Sequence, residues 1–472
     1  MSAPQPAATN GHPSTAPSGA LGSALAVAAE QRRARLAELK HWLAIPSVSP
    51  DPTRADAVQD AAAWLDDWLR AVGADVERVP TPDGPPVVVG RVEGPPAAPV
   101  VLVYGHYDVQ PPGPGWTTDP FTPAVRDGVL YARGANDDKG QLFAHLAALG
   151  AWRSAGGPPV TVVIVAEGAE ERGSHGFAEA VSVLRRHTAA NTVIVSDTER
   201  ASAGRPAVTV SQRGHIVLQV TVDAGGPAVH TGRLGGALVD PSLVLAATLL
   251  DLQEASRRWV HRKGRRLDLA IVHLSDAGVR SLAAGRATVP GDLHQRIALG
   301  AAVTVTALRA GDRTGASPGQ SHARIDLRLP PGVDPETVMN DVRRRLRHRG
   351  QPGLRIAAEA ISAHRGRELV PGRGLRRAVE DASMIGFGRP PAYLRSGGTI
   401  PAVGVLADAF GTTPVLLGLG TPAGGAHGPD KRMDLSGWSR SVDTCVALLA
   451  AVAGESTDGG PSLTSLVDPD HD

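Results

Sequence analysis

The sequence predicts an α/β fold with a mostly parallel central sheet, interrupted by a separate α+β insertion. Three observations carry that prediction. First, four apolar runs lack the alternation of half-exposed strands: PVVLVY before Gly105, VTVVIVA before Glu167, TVIVS before Asp197 and PVLLGLG before Thr421. Such runs belong to strands buried on both faces. Second, helical stretches lie between several of them, which is the order of a parallel sheet with crossover helices. Third, between about Gln212 and Ala363 the pattern changes to alternating strands, HIVLQVTVD, AAVTVTALRA and ARIDLRLP, around helices near Pro241–Arg258 and Pro335–Arg349.

Taken in order, residues 1–20 are rich in Ala, Pro, Ser and Gly and are expected to be a disordered lead. Helical periodicity runs from Leu25 to Ala44, ending before Pro46, and from Ala55 to Val72, ended by Gly73. Amphipathic helices are expected over Gln141–Trp152 and Phe177–His187, and a last helix after Asp434. The domain plan is therefore 21–211 as the first part of a catalytic layer, 212–365 as the insertion, 366–455 as the second part, and 456–472 as a flexible tail. No solenoid-type repeat is present.

Composition narrows the function classes. A length of 472 residues fits two or three domains. A net charge of +1 gives no global pull toward nucleic acid or anionic membrane. Positive charge is almost all Arg, since Lys40, Lys139, Lys263 and Lys431 are the only lysines. Cys445 is alone in an apolar helical stretch, so it is expected to be a buried structural thiol, and a reducing cytoplasm fits. No apolar run has the length of a membrane span, and the N-terminus lacks the basic region and apolar core of a secretory signal.

The chemistry-bearing residues follow the strand-like runs. GHYDVQP supplies His106 and Asp108, RGANDDKG supplies Asp137 and Asp138, EGAEERGS supplies Glu170 and Glu171, SDT supplies Asp197, and GAHGPDK supplies His427. Ligands of open α/β sheets gather beyond the carboxyl ends of the strands. Each of these residue types also has a bland reading: adjacent glutamates are usually solvated, an Asp after a strand is often a turn cap, and a lone loop His is more often structural. Their convergence on one edge is what favours a site. Imidazole and carboxylate together suit zinc-like ions, and a carboxylate has two oxygens with which to bridge two ions about 3.5–4 Å apart.

These motifs, with WTTDPFTPAVRDGVLYARGANDDKG, HTGRLGG and SGGTIP in the same order, resemble the co-catalytic zinc metallopeptidase family of carnosinases and other cytosolic dipeptidases. That family also holds carboxypeptidase G, acetylornithine deacetylase and succinyl-diaminopimelate desuccinylase. The resemblance spans about Leu36 to Leu449 and is strongest to the dipeptidase branch. It implies a zinc-peptidase-like catalytic domain with a ferredoxin-like lid and dimerisation insert. It also implies two divalent ions per subunit, zinc with manganese or cobalt as alternatives, and a cytoplasmic homodimer acting on small peptides or N-acyl amino acids.

Residue by residue, the resemblance implies His106, Asp137 and Asp197 on one ion and Asp137, Glu171 and His427 on the other, with Asp137 bridging. It implies Glu170 as general base and Asp108 as the carboxylate that orients His106. It gives Asp138 no ligand role and marks its peptide as a strained one. His230 would stabilise the oxyanion from across a subunit interface. Arg328, Arg395 and the Gly397, Gly398, Thr399 loop would meet the substrate carboxylate, although a surface ion pair is the plain alternative for either Arg. Two departures from the family pattern, Asp430 with Lys431 in HGPDKR and the turn TGASPG, are expected on the substrate side.

Competing classes are weaker. VLLGLGTPAGG has glycines after a strand, but the dinucleotide spacing is off by one and Pro422 interrupts the turn. RRWVHRKGRR and RRRLRHR read as solvated helix ends and not as a nucleic-acid surface, given the neutral charge and 3% aromatic content. A non-catalytic peptide binder would have lost a ligand or the base, and all are present. Dipeptidase and N-acyl amino acid deacylase remain the two enzyme readings.

Overall fold

Each apolar run expected to be a doubly buried strand is one. They occupy Val100–His106, Thr161–Glu167, Thr192–Val195 and Val415–Gly418, with nearly every residue buried. Burying one Val, Leu or Ile side chain in such a layer contributes about 1.5–3 kcal/mol, so four continuous runs anchor the sheet. The computed structural model describes residues 19–82, 84–260, 269–272, 287–289, 291–311, 316–350, 352–422 and 428–455. The tail from 456 and nearly all of the expected lead lie outside the described residues; Gly19 and Ala20 already belong to the first helix, Gly19–Leu43.

Among the described residues the large sheet has nine strands. In order across it they are Asp75–Thr81, Gly84–Val92, Thr161–Glu167, Val100–His106, Thr192–Val195, Val415–Gly418, Ala207–Gln212 and Arg367–Glu368, with Ala392–Arg395 also pairing with Ala207–Gln212. The four central strands, from Thr161–Glu167 to Val415–Gly418, run parallel. Antiparallel pairs close both flanks, so the expected parallel character is a property of the centre. The outer hairpin of Asp75–Thr81 and Gly84–Val92 has no clear strand signal in the sequence. Pro80, Pro85 and Pro86 lie in it, which an edge tolerates because outward N–H groups need no partner.

The helix Lys139–Ser154 corrects the expectation of an amphipathic helix over Gln141–Trp152. Every residue from Lys139 to Trp152 is buried, because the helix lies against the sheet and under both Gly19–Leu43 and the final helix, Leu435–Glu455. Trp42, Trp64, Trp68 and Trp438 surround its Phe143. Periodicity reports one neighbour well and several poorly.

After Gln212 the chain leaves this sheet, and Gly214 begins another. The second sheet has the order Ala302–Ala310, Gln320–Leu329, Gly214–Asp223 and Arg355–His364, all antiparallel. Helices Pro241–Ser256 and Pro335–Arg349 cover one face, with Leu245, Leu252, Val338 and Val342 packed on Ile216, Leu218 and Ile325. Chain order and strand order together are ferredoxin-like. Burial along Gly214–Asp223 alternates residue by residue, the signature of a sheet with one covered face.

Candidate metal centre

One edge of the large sheet collects the polar residues. His106 ends its strand; Glu170 and Glu171 form a short turn just beyond Glu167; Asp197 lies two residues past Val195. Asp137 and Asp138 precede the buried helix and are joined by a cis peptide bond. Gly105 allows this approach, since a Cβ there would come within 2.6 Å of Asp138 Oδ2. His427 lies outside the described residues.

His106, Asp137 and Asp197 converge. His106 Nε2 is 3.2 Å from Asp137 Oδ1 and 4.0 Å from Asp197 Oδ1, and one ligand atom from each residue lies within 4.8 Å of the other two. Ligand atoms around a zinc ion held at about 2.0–2.2 Å stand roughly 3.0–3.6 Å apart, so the three fit one ion with small adjustments. His106 Nδ1 is 3.0 Å from the Asp108 carbonyl oxygen and 3.2 Å from its carboxylate, while the buried Nε2 has no hydrogen-bond partner. A His whose other nitrogen is fixed in this way presents the free one to a metal.

Asp108 is wholly buried and serves more than the imidazole. Its carboxylate accepts Ser49 Oγ at 2.5 Å, Glu170 N at 3.3 Å and Glu171 N at 3.1 Å. The turn bearing both glutamates is therefore tied to the loop bearing His106. Gln110 adds a second tie, donating to Glu171 Oε2 at 2.8 Å and to the Glu171 carbonyl at 3.1 Å. Asp138 accepts the His106 amide at 3.2 Å and is fully buried, a structural place consistent with no ligand role.

Electrostatics describe a site short of positive charge. Burial pushes Glu171 up to about 8 and Asp197 up to about 7, with the Asp137 charge adding to both. Burial also raises Glu170 well above the usual range, with His106 opposing and Asp197 and Glu171 reinforcing. For His106, burial favours the neutral ring, but the neighbouring Asp108 and Asp137 carboxylates outweigh it and raise its pKa. Asp137 goes the other way: against its burial, the Lys431 ammonium and then His106 hold it well below the ordinary carboxylate range. Crowded carboxylates of this kind are what a divalent cation neutralises.

Lys431 is the main surprise. Its Nζ lies 2.5 Å from Asp137 Oδ2 and its side chain is 1% exposed, so this departure from the family pattern is on the metal side and not on the expected substrate side. Asp430 turns away to accept Thr117 N at 2.8 Å.

The remaining expected residues are on or near the small sheet. His230 is exposed, its Nδ1 accepting Gly232 N at 3.1 Å, and the structure does not bring it to the carboxylate cluster. It pairs with Ala316 of the departing TGASPG turn, whose Thr314 and Gly315 lie outside the described residues. Arg328 is held by both oxygens of Asp326, at 2.9 and 3.2 Å, and reaches Thr399 Oγ1 at 3.2 Å. Thr399 in turn donates to the Arg213 carbonyl at 2.7 Å, and Arg213 Nε donates to the Gly397 carbonyl at 3.0 Å. The Gly398 amide is bonded to Ser396 Oγ at 3.0 Å, and Arg395 is half-buried in the strand before it. Arg213 and Asp326 were not anticipated; only the position of Arg213, at the change of sheets, hinted at a role. The basic run RRRLRHR is an ion-paired helix face, with Arg343 on Glu336 and Arg345 on Asp341 and Asp251.

A sheet-edge cluster of one imidazole and several carboxylates, beside a ferredoxin-like second sheet, defines a metal-dependent hydrolase. The chain belongs to the peptidase family M20/M25/M40, whose sequence profile matches residues 102–455. It is 28% identical to a cysteinylglycine-S-conjugate dipeptidase of Corynebacterium striatum, over 84% of this chain and 90% of that protein. It is 27% identical to human beta-Ala-His dipeptidase, over 84% and 85%. Among solved structures, the dipeptidase Dug1p of Saccharomyces cerevisiae shares the fold with a TM-score of 0.79 at 23% identity, covering 92% of this chain and 98% of that one.

Proposed function

We propose that this chain is a metallodipeptidase that cleaves the amide bond of dipeptides or short peptides bearing a free carboxylate. The observation that carries the reading is the His106, Asp137 and Asp197 cluster, with His106 Nε2 buried, unbonded and directed at both carboxylates. These three residues would hold one divalent ion; Asp137, Glu171 and His427 would hold a second. Zinc fits the imidazole and carboxylate donors, with manganese or cobalt as alternatives. Such ions supply Lewis acidity, lowering the pKa of water and polarising the scissile carbonyl.

Glu170 is the general base: it takes a proton from the attacking water and delivers it to the leaving amine. Asp108 holds His106 in the tautomer that leaves Nε2 free, and through the Glu170 amide it fixes the base relative to the ligands. Arg328 with Thr399, and Arg395 with Gly397 and Gly398, are assigned to the substrate's carboxylate, and His230 to the oxyanion. The 212–365 insertion is read as lid and dimerisation domain. Its outer strand, Ala302–Ala310, supports a homodimer, being an exposed edge with Leu308 60% exposed. The lone buried Cys445 supports a reducing cytoplasm, and no described helix is long and apolar enough to cross a membrane.

A panel of dipeptides, including Cys-Gly and β-Ala-His, run beside N-acetyl and N-succinyl amino acids, tests the reading. Metal-dependent release of free amino acids from dipeptides is expected, abolished by chelation. Turnover of the N-acyl compounds alone would replace it with the deacylase reading.

A further inference from the structure

The two oxygens of Asp137 face different partners. Oδ1 is 3.2 Å from His106 Nε2, on the side of the described ligand cluster, whereas Oδ2 is 2.5 Å from Lys431 Nζ. We propose that Lys431 occupies the oxygen through which Asp137 would bridge to a second ion, so that the two metal positions bind with unequal affinity. His106, Asp137 and Asp197 would hold the tighter ion, and a second one between Asp137 and Glu171 would have to displace or crowd the ammonium. This rests on the metal-dependent reading above.

Two features make the contact a built one. Lys431 is 1% exposed, so its ammonium is not a solvated surface charge that merely falls near a carboxylate. Its backbone is fixed: the Lys431 carbonyl accepts Ala132 N at 3.1 Å, and the next residues, Arg432–Asp434, pair with Val129–Tyr131. A zinc-like ion about 2.1 Å from Oδ2 would also lie at most about 4.6 Å from Nζ, since the ammonium stands 2.5 Å from the same oxygen. Two cations at that separation in a buried site repel, and the oxygen donates less to an ion while it accepts from the ammonium. A lysine, unlike an arginine, is a point charge on a flexible stem and can withdraw. In a chain with four lysines, one is placed here.

The test is a cobalt titration of the full chain, stripped of metal by chelator and followed by visible absorption and elemental analysis, with circular dichroism as the check on folding. Wild type is expected to take up one Co²⁺ tightly and a second at least about tenfold more weakly. Lys431→Met and Lys431→Glu are each expected to strengthen the second step relative to the first by about tenfold or more. Two equal steps in wild type, or a second step unmoved in both folded variants, would overturn the role of Lys431 while leaving the metal reading intact. Uptake of less than one ion by folded wild type and variants alike would overturn both.

Discussion

At the edge of the large sheet, His106 and Asp108 have no exposed surface, and Glu171 and Asp137 are each bonded to a segment distant in the chain. In the insertion, His230 stands exposed in a separate two-stranded ribbon with Ala316–Ser317, and on the small sheet Arg328 is shared between Asp326 and Thr399. One region is locked by burial before anything binds; the other joins its partners through a few long side chains. Hydrolysis needs its base and ligands held to a fraction of an ångström, whereas recognition of varied side chains tolerates movement. This difference in packing supports the proposed assignment of chemistry to the large sheet and of recognition to the small one.

The comparison breaks first if the locked region is not where the chemistry lies. Glu170→Gln should lower kcat by about 10²–10⁴ with metal content and thermal stability unchanged, measured with the best dipeptide of the panel. Next is His230→Ala, expected to cost about 10²–10³ in kcat without altering metal content or melting temperature. An inert His230 would leave all the chemistry to the large sheet and make the contrast sharper than stated. Asp108→Ala should weaken metal retention by about 10–100-fold, read by competition with a chromogenic chelator. Arg328→Ala should raise KM by about tenfold with kcat nearly constant, the mark of lost ground-state binding.

The smallest consequence for turnover concerns Glu167, a buried carboxyl under the same edge that accepts Tyr104 Oη at 2.6 Å and Ser174 Oγ at 2.9 Å. Burial raises it from 4.5 to about 7, so the folded protein keeps a proton that the unfolded chain releases earlier. Its contribution to stability is full below pH 4.5 and is lost as pH rises through 7. Glu167→Gln should flatten that part of the stability profile by at most about 3 kcal/mol, read from denaturant midpoints at pH 5 and 8.

Much of the locked region was legible because its signals are local. An apolar run followed at once by His106, Asp197 or a Glu pair states both the strand and the edge at which its side chains emerge. Gln110 lay inside the motif around His106 yet carried no sign that it would reach Glu171, 61 positions away. Lys431 was harder still: its meeting with Asp137 depends on the short pairing of Arg432–Asp434 with Val129–Tyr131. The link of Arg328 to Thr399 joins residues 71 positions apart, one on the small sheet and one in the loop after Ala392–Arg395, and no local pattern encodes such a meeting. The outer hairpin was hidden by its prolines, and the helix Lys139–Ser154 by having neighbours on every side.

The bonds from the Glu170 and Glu171 amides to Asp108 also change how this turn should behave in time. A short surface turn ordinarily exchanges its amide protons quickly, but these two are held by a carboxylate with no exposure to solvent. They are released only when Asp108 moves, which is a local unfolding of the sheet edge and not a loop fluctuation. Deuterium uptake at Glu170 and Glu171 is therefore a clock for the integrity of the whole centre, readable without substrate.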